Sequence, residues 1–331
     1  MIISKTPLRA SFFGGGTDFK DYYENSKQGY GTVLSTALNM YVYIMVCKRF
    51  DDKIRVCYTK NEFVDRVDEI QHNIIREALK IVGIDRGIDV VYAADIPLSS
   101  AGVGLASSSA LAVGVLNALY AYKGIYASPA ELARKACEIE IERLGNPIGI
   151  QDQYAVSYGG FKQYKFWKNG EVSAIPVILN KSLLADLNSN LMLYYTGITR
   201  ISSEILAEQK EKIVDKTKIL DGLAEMPDRA IRMLMDRNLD GFGKMLDEGW
   251  NLKKQMASKI SNNEIDKMYH LAKDAGALGG KVLGAGGGGF LLLYVTEENK
   301  HNVADAMKDY KLVDFNFENE GSRIIFMEDN R

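Results

Sequence analysis

Residues 100–116 read SAGVGLASSSALAVGVL. A backbone loosened by Gly102 and Gly104 runs straight into an apolar helix-forming stretch, and three serines stand at the junction. Upstream, GIDVVYAADIP has the β-branched and aromatic content of a strand. The unit is therefore strand, loose loop, apolar helix, with the helix expected over 107–122. One serine suffices to cap a helix start. Ser107, Ser108 and Ser109 exceed that need, and the positive end of a helix with unpaired N–H groups also attracts phosphate. Capping and anion binding both remain open on this segment alone.

The rest of the chain supplies other strands and helices. Strands are expected at 2–3, 33–36, 41–48 and 53–58, the last two joined as a hairpin through Asp51 and Asp52, and a helix is expected at 61–82. Ser128, Pro129, Ala130 and Glu131 form a capping box with proline at the first helical position, starting a helix that should reach residue 144. A β-like region follows at 161–178. Residues 201–275 are helical in pattern, with breaks near Pro227 and at 238–241. GFLLLYV reads as a buried strand before a final helix–strand pair. At 331 residues the chain exceeds the usual size of one core, so two domains are expected, 1–185 and 186–331.

Charge and cysteine content narrow the function classes. A net charge of −2 gives no electrostatic case for nucleic acid as a partner. The three cysteines lie in apolar segments and read as reduced residues. The three histidines share no metal spacing. The first residues lack the apolar core of a signal peptide, and no apolar run approaches a membrane span, so no membrane partner and a cytoplasmic location are expected.

Glu140 is out of place. On a helical wheel of the segment after Pro129, Leu132, Ala133, Ala136, Cys137, Ile139 and Leu144 gather on one face, and Glu140 falls among them. A buried carboxylate needs a cation, hydrogen bonds or a metal. A structural ion pair and a Mg²⁺ ligand are both open, the second fitting a nearby phosphate loop. Two further glycine-rich segments stand out. PLRASFFGGGTDF places Arg9 before, and Asp18 after, a run of three glycines. KVLGAGGGGFLLLYV packs five glycines into six positions ahead of a strand. Neither is a P-loop of the G-x-x-x-x-G-K-[ST] type, and the strand that follows the second reverses the context of a dinucleotide-binding turn. GNPIGIQDQ holds Asp152 in what reads as a glycine- and proline-shaped loop, where catalytic side chains are often carried.

These segments together resemble the GHMP small-molecule kinases, which include galactokinase, homoserine kinase and mevalonate kinase. TPLRASFFGGGTDF is similar to the family's N-terminal substrate motif, PLSSAGVGLASSSAL to its phosphate loop, GNPIGIQDQYAVSYGG to the segment with its catalytic aspartate, and KVLGAGGGGF to its C-terminal glycine motif. The resemblance spans essentially the whole chain. It implies an α+β, two-domain fold, with a ribosomal-protein-S5-like α/β domain followed by a ferredoxin-like α+β domain.

It also implies roles. Gly102, Gly104, Leu105, Ala106, Ser107, Ser108 and Ser109 would wrap the ATP phosphates, and Ser108 and Glu140 would ligate Mg²⁺. Asp152 would orient or deprotonate the attacking hydroxyl, with Arg9 helping to neutralise charge in transfer. Gly15, Gly16, Thr17 and Asp18 would meet the substrate, and Arg200 is a candidate partner for a substrate phosphate. Gly284, Gly286, Gly287 and Gly288 would support the nucleotide loop. Within the family, FFGGGTDF and YYTGITRISSEIL most resemble the heptose 7-phosphate kinases. These phosphorylate the anomeric hydroxyl of D-glycero-D-manno-heptose 7-phosphate with ATP to give the 1,7-bisphosphate. The galactokinase pattern has Glu-His where this chain has Gly15 and Gly16. A kinase for galactose, fucose or a mevalonate-type substrate, and a non-catalytic sugar sensor, are the alternatives. A small-molecule sugar phosphate is the expected partner, and the protein is expected to be a monomer or homodimer.

Overall fold

In the computed structural model, which describes residues 1–96, 104–198 and 202–328, the described strands form two sheets. The first is built from β1 (Ile2–Phe13), β2 (Tyr30–Lys48), β3 (Ile54–Cys57), β4 (Asn61–Val64), β5 (Ile88–Ala94), β6 (Phe161–Trp167) and β7 (Val172–Pro176). The second contains β8 (Leu191–Tyr195), β9 (Gly279–Val282), β10 (Phe290–Tyr294) and β11 (Lys311–Val313). The chain then returns to the first sheet with β12 (Phe317–Glu318) on β2 and β13 (Arg323–Met327) on β1.

The long strand β2 organises the first sheet, whose main path runs β13-β1-β2-β5-β3-β4. One face of β2 is apolar throughout its second half, with Val42, Ile44 and Val46 buried. The helix Ser107–Tyr122 lies on β1 and β2. It approaches closely because Gly114 has no side chain: a Cβ there would lie 3.0 Å from the Thr6 hydroxyl. The apolar length of this helix is buried from Ser109 to Leu116, so its first turn is set on a fixed core.

The second sheet runs β11-β8-β10-β9, antiparallel at every pairing. Numbered within the domain this is 4-1-3-2, with helices between its first and second strands and between its third and fourth, the ferredoxin-like arrangement. The fold is thus mixed α+β, as the motifs imply.

Several local expectations are corrected. The strands before and after Asp51–Asp52 are not a hairpin. β5 takes the place beside β2, pairing Val90 with Val46, and β3 lies parallel on the far side of β5. The helix expected from residue 61 begins at Asn73, because Asn61–Val64 folds back on β3 and the Glu62 carboxylate accepts the N–H of His72. Pro227 does not break its helix, Thr217–Met235; it is buried, and tertiary packing overrides its poor propensity. The α-helix starting at Pro129 ends at Cys137 and continues to Arg143 as π turns. The final segment, expected in the second domain, pairs with the first sheet, where Ile324 lies opposite Ser4 on the open edge of β1. No helix among the described residues is long and apolar enough to cross a membrane.

Candidate active site

Arg9 sits on β1 and is 3% exposed. Its Nε donates to Asp152 Oδ1 at 2.8 Å and its Nη2 to Oδ2 at 2.7 Å, a two-pronged, charge-assisted pair. Nη1 donates to the Gly104 carbonyl at 2.7 Å, and the Arg9 backbone N–H donates to the Leu105 carbonyl at 3.2 Å. One residue therefore fixes both the carboxylate and the end of the glycine-serine loop. Asp152 does not lie in a loop, as its sequence context suggested. It occupies the first turn of the helix Gln151–Tyr158, where the positive end of the helix favours a carboxylate.

The helix Ser107–Tyr122 starts from Ala106, held at φ 64°, and no side chain caps it. A left-handed backbone at a non-glycine residue is strained and persists where the surroundings enforce it. Capping is thus not what the serines do. Ser107 and Ser108 line a cavity, and Ser109 turns inward. Leu105 is buried. Gly102 lies outside the described residues, as does Arg200.

Glu140 is completely buried. The Ser109 hydroxyl and the Gln153 amide each donate to its Oε2 at 2.7 Å. Its Oε1 is buried without a partner among the described residues, and no cation pairs with it there. Burial pushes its pKa up, Asp152's charge adds to that, and the hydroxyls of Ser109 and Ser108 and the Gln153 amide oppose it. No ion pair of the kind the sequence left open is formed to Glu140 among the described residues. The π turns from Glu138 carry this carboxylate, an irregularity common at functional sites. An orphaned carboxylate oxygen beside a serine hydroxyl fits Mg²⁺, which takes few protein oxygens and keeps water and phosphate for the rest. No group of three or more His, Cys, Asp or Glu that could cage a metal occurs among the described residues.

Across Asp152 from the serines is a second cavity, formed where β1 ends in the turn containing Gly15 and Gly16. Asp18 lines it. Its Oδ1 accepts from the Gly16 N–H at 3.0 Å and the Gln151 Nε2 at 2.9 Å, and its Oδ2 accepts from the Gln151 N–H at 3.2 Å. Burial raises its pKa and Asp152 adds to the rise, while the N–H donors oppose it. A side chain at Gly149 would collide with this carboxylate. The Gly16 N–H is thus engaged by Asp18. Thr17 is fully buried and bonds to the carbonyls of Gly14 and Thr32, both at 2.8 Å, so it braces the turn.

The two cavities share Arg9, Ile148, Asp152, Leu206, Gly284 and Ala285. Gly284 abuts Gly104 directly, while Gly286 and Gly287 pack on Ile260 and Gly288 on Ile198. Of the C-terminal glycines, Gly284 touches the segment that leads into the helix Ser107–Tyr122, and the other three shape the turn behind it.

Sequence reasoning missed Lys281, which is 7% exposed and lines the Asp18 cavity. Its Nζ donates to the carbonyls of Ser11 and Phe12 at 2.8 and 2.9 Å. Burial, with the nearby Arg9 charge, lowers its pKa to about 7. A lysine inside a glycine-rich, apolar strand was the same kind of signal as Glu140. Lys253, bonded to the Gly284 carbonyl, and His72 and Tyr92, on the wall of the serine-lined cavity, were also missed.

The chain is similar to known proteins over nearly its whole length. The model of the GHMP kinases N terminal domain matches residues 70–160, and that of the GHMP kinases C terminal matches residues 230–311. A D-glycero-alpha-D-manno-heptose 7-phosphate kinase of Campylobacter jejuni is 32% identical over 97% of this chain and 97% of its own. A galactokinase of Pyrococcus furiosus is 25% identical over 96% of this chain and 95% of its own. The crystal structure of a D-glycero-D-manno-heptose 1-phosphate kinase from Bacteroides thetaiotaomicron shares the fold, with a TM-score of 0.82 at 22% identity over 99% of this chain and 100% of that one.

Proposed function

The chain belongs to the GHMP kinases, ATP-dependent phosphotransferases that include sugar kinases, and on that premise we propose that it phosphorylates the anomeric hydroxyl of D-glycero-D-manno-heptose 7-phosphate, giving the 1,7-bisphosphate. The observation that carries this reading is the meeting of two cavities at the Arg9–Asp152 pair. The serine-lined cavity has the uncapped helix N-terminus that suits ATP phosphates. The cavity beyond Asp152 has the carboxylate of Asp18 and the open glycine turn. The full-length likeness to a heptose 7-phosphate kinase supports the choice of sugar, as does the absence of bulk at Gly15 and Gly16.

Asp152 accepts the proton of the attacking hydroxyl, and the hydroxyl oxygen forms a bond to the γ-phosphorus as the bond to ADP breaks. Arg9 holds the carboxylate in place and offsets the charge that gathers on the transferring group. The N–H groups at the start of the helix Ser107–Tyr122 hold the ATP phosphates, with Gly284 behind their loop. Glu140 and Ser108 are the residues that would hold Mg²⁺, which neutralises phosphate charge when bound. The working partners are then ATP and a sugar phosphate, in the cytoplasm, with the protein a monomer or homodimer. The test is ATP consumption against a panel of heptose 7-phosphate, galactose, fucose, mannose and mevalonate, with the phosphorylated position read by NMR. Preference for heptose 7-phosphate with a new phosphate at C1 is the expected result. Preference for another acceptor, or a product phosphorylated elsewhere, overturns the substrate assignment.

A further inference from the structure

Two polar atoms on the wall of the Asp18 cavity are buried without hydrogen-bond partners among the described residues: Ser11 Oγ and Gln151 Oε1. Leaving such atoms unpaired costs free energy, on the order of 1–3 kcal/mol each, unless something outside the chain pairs with them. The orientation of the Gln151 amide is fixed by its neighbour. Asp18 Oδ1 already accepts from the Gly16 N–H and Oδ2 from the Gln151 N–H, so the amide must turn its nitrogen toward Asp18 and its oxygen away. Gly15 joins the two residues. A Cβ at Gly15 would lie 3.9 Å from Ser11 Oγ and 3.8 Å from Gln151 Nε2, so the missing side chain leaves space beside the Ser11 hydroxyl and along the Gln151 amide, whose nitrogen is taken by Asp18. Ser11 is itself held from behind. The pairing register of β1 with β2 shifts between Ser11 and Phe13, and the carbonyls of Ser11 and Phe12 are taken by Lys281.

From this arrangement we infer that Ser11 and Gln151 form a hydroxyl-reading pair for the acceptor, a specificity element on the cavity side of Asp152. The Gln151 carbonyl takes an O–H donor only, and the Ser11 hydroxyl either gives or takes. Their chemistry selects a polyol that brings a hydroxyl to each of them. The inference rests on the sugar-kinase reading and names what recognises the sugar.

The experiment compares the wild type with Ser11→Ala and Gly15→Ala on heptose 7-phosphate, mannose, galactose and fucose. Melting temperature and the KM for ATP are measured alongside. Ser11→Ala removes a hydroxyl that has no hydrogen-bond partner among the described residues, so melting temperature should hold or rise. Meanwhile kcat/KM for the best acceptor should fall about tenfold, through KM, the worth of one hydrogen bond. Gly15→Ala puts a methyl group at ordinary contact distance on unstrained backbone, so it should fold and lose at least as much. In both, the KM for ATP should stay within twofold. Acceptor kcat/KM within twofold of wild type in Ser11→Ala overturns the pair, whichever sugar is used. A wild type that turns over none of these acceptors instead overturns the sugar-kinase reading, and the pair with it.

Discussion

A Cβ at Gly284 would lie 2.5 Å from the Cα of Gly104, so the C-terminal glycine turn and the end of the phosphate loop meet backbone to backbone. Both glycines also have positive φ, 70° and 87°. In the proposed reaction the two halves of the chain thus shape the nucleotide site together. Gly284→Ala is expected to push the loop off its position. The KM for ATP should rise about tenfold or more, with a smaller change in the KM for the acceptor. Steady-state kinetics with each substrate varied in turn checks this.

Glu140 keeps one oxygen unpartnered in a fully buried position. Glu140→Gln should raise the Mg²⁺ concentration for half-maximal activity by an order of magnitude or more, roughly what loss of a metal-site residue costs. Melting temperature should hold or rise, because an isolated buried carboxylate is costly. Ser108→Ala should shift the Mg²⁺ requirement in the same direction but less, since it removes a neutral ligand. A fall in melting temperature with unchanged Mg²⁺ dependence would mark Glu140 as structural.

Lys281 gives a pH dependence of stability. Burial and the nearby Arg9 charge bring its amine to about 7 in the folded protein, against an ordinary value near 10.4 in the unfolded chain. Between those values the unfolded state binds one more proton, so this residue makes stability rise with pH through that window. Below pH 7 both states are protonated and its cost is fully present. Urea unfolding midpoints from pH 7 to 9 should therefore climb more steeply in wild type than in Lys281→Met. Parallel curves would remove Lys281 as the source.

Much of this was legible in the residues. The helix Ser107–Tyr122 matched its expected bounds, because a glycine-rich loop and an unbroken apolar run leave few alternatives. Glu140 was found as a charge on an apolar face, although the π turns that carry it have no signature in a wheel drawn at α-helical spacing. Asp152 and Arg9 were named from motifs, but their pairing joins segments far apart in sequence. Residues 61–72 misled because their side-chain pattern suits a helix, while their pairing with β3 is decided by the sheet. The return of β13 to β1 was hidden for the same reason: an open sheet edge far back in the chain recruits it. Ser11 and Gln151 are ordinary polar residues in sequence, and only their unpaired burial sets them apart.

In the proposed reaction Asp152 accepts the acceptor's proton, held by both prongs of Arg9 at 2.8 and 2.7 Å. The most direct measurement is single-turnover phosphoryl transfer by Asp152→Asn, with bound ATP and acceptor quantified separately. Asparagine keeps the size and one acceptor oxygen, so folding and ATP binding should survive. The transfer rate should fall by about 10²–10⁴-fold, the usual worth of a positioned proton acceptor. A variant that transfers phosphate at close to the wild-type rate, or that loses only affinity for the acceptor, would contradict the assignment and leave Asp152 as a binding residue.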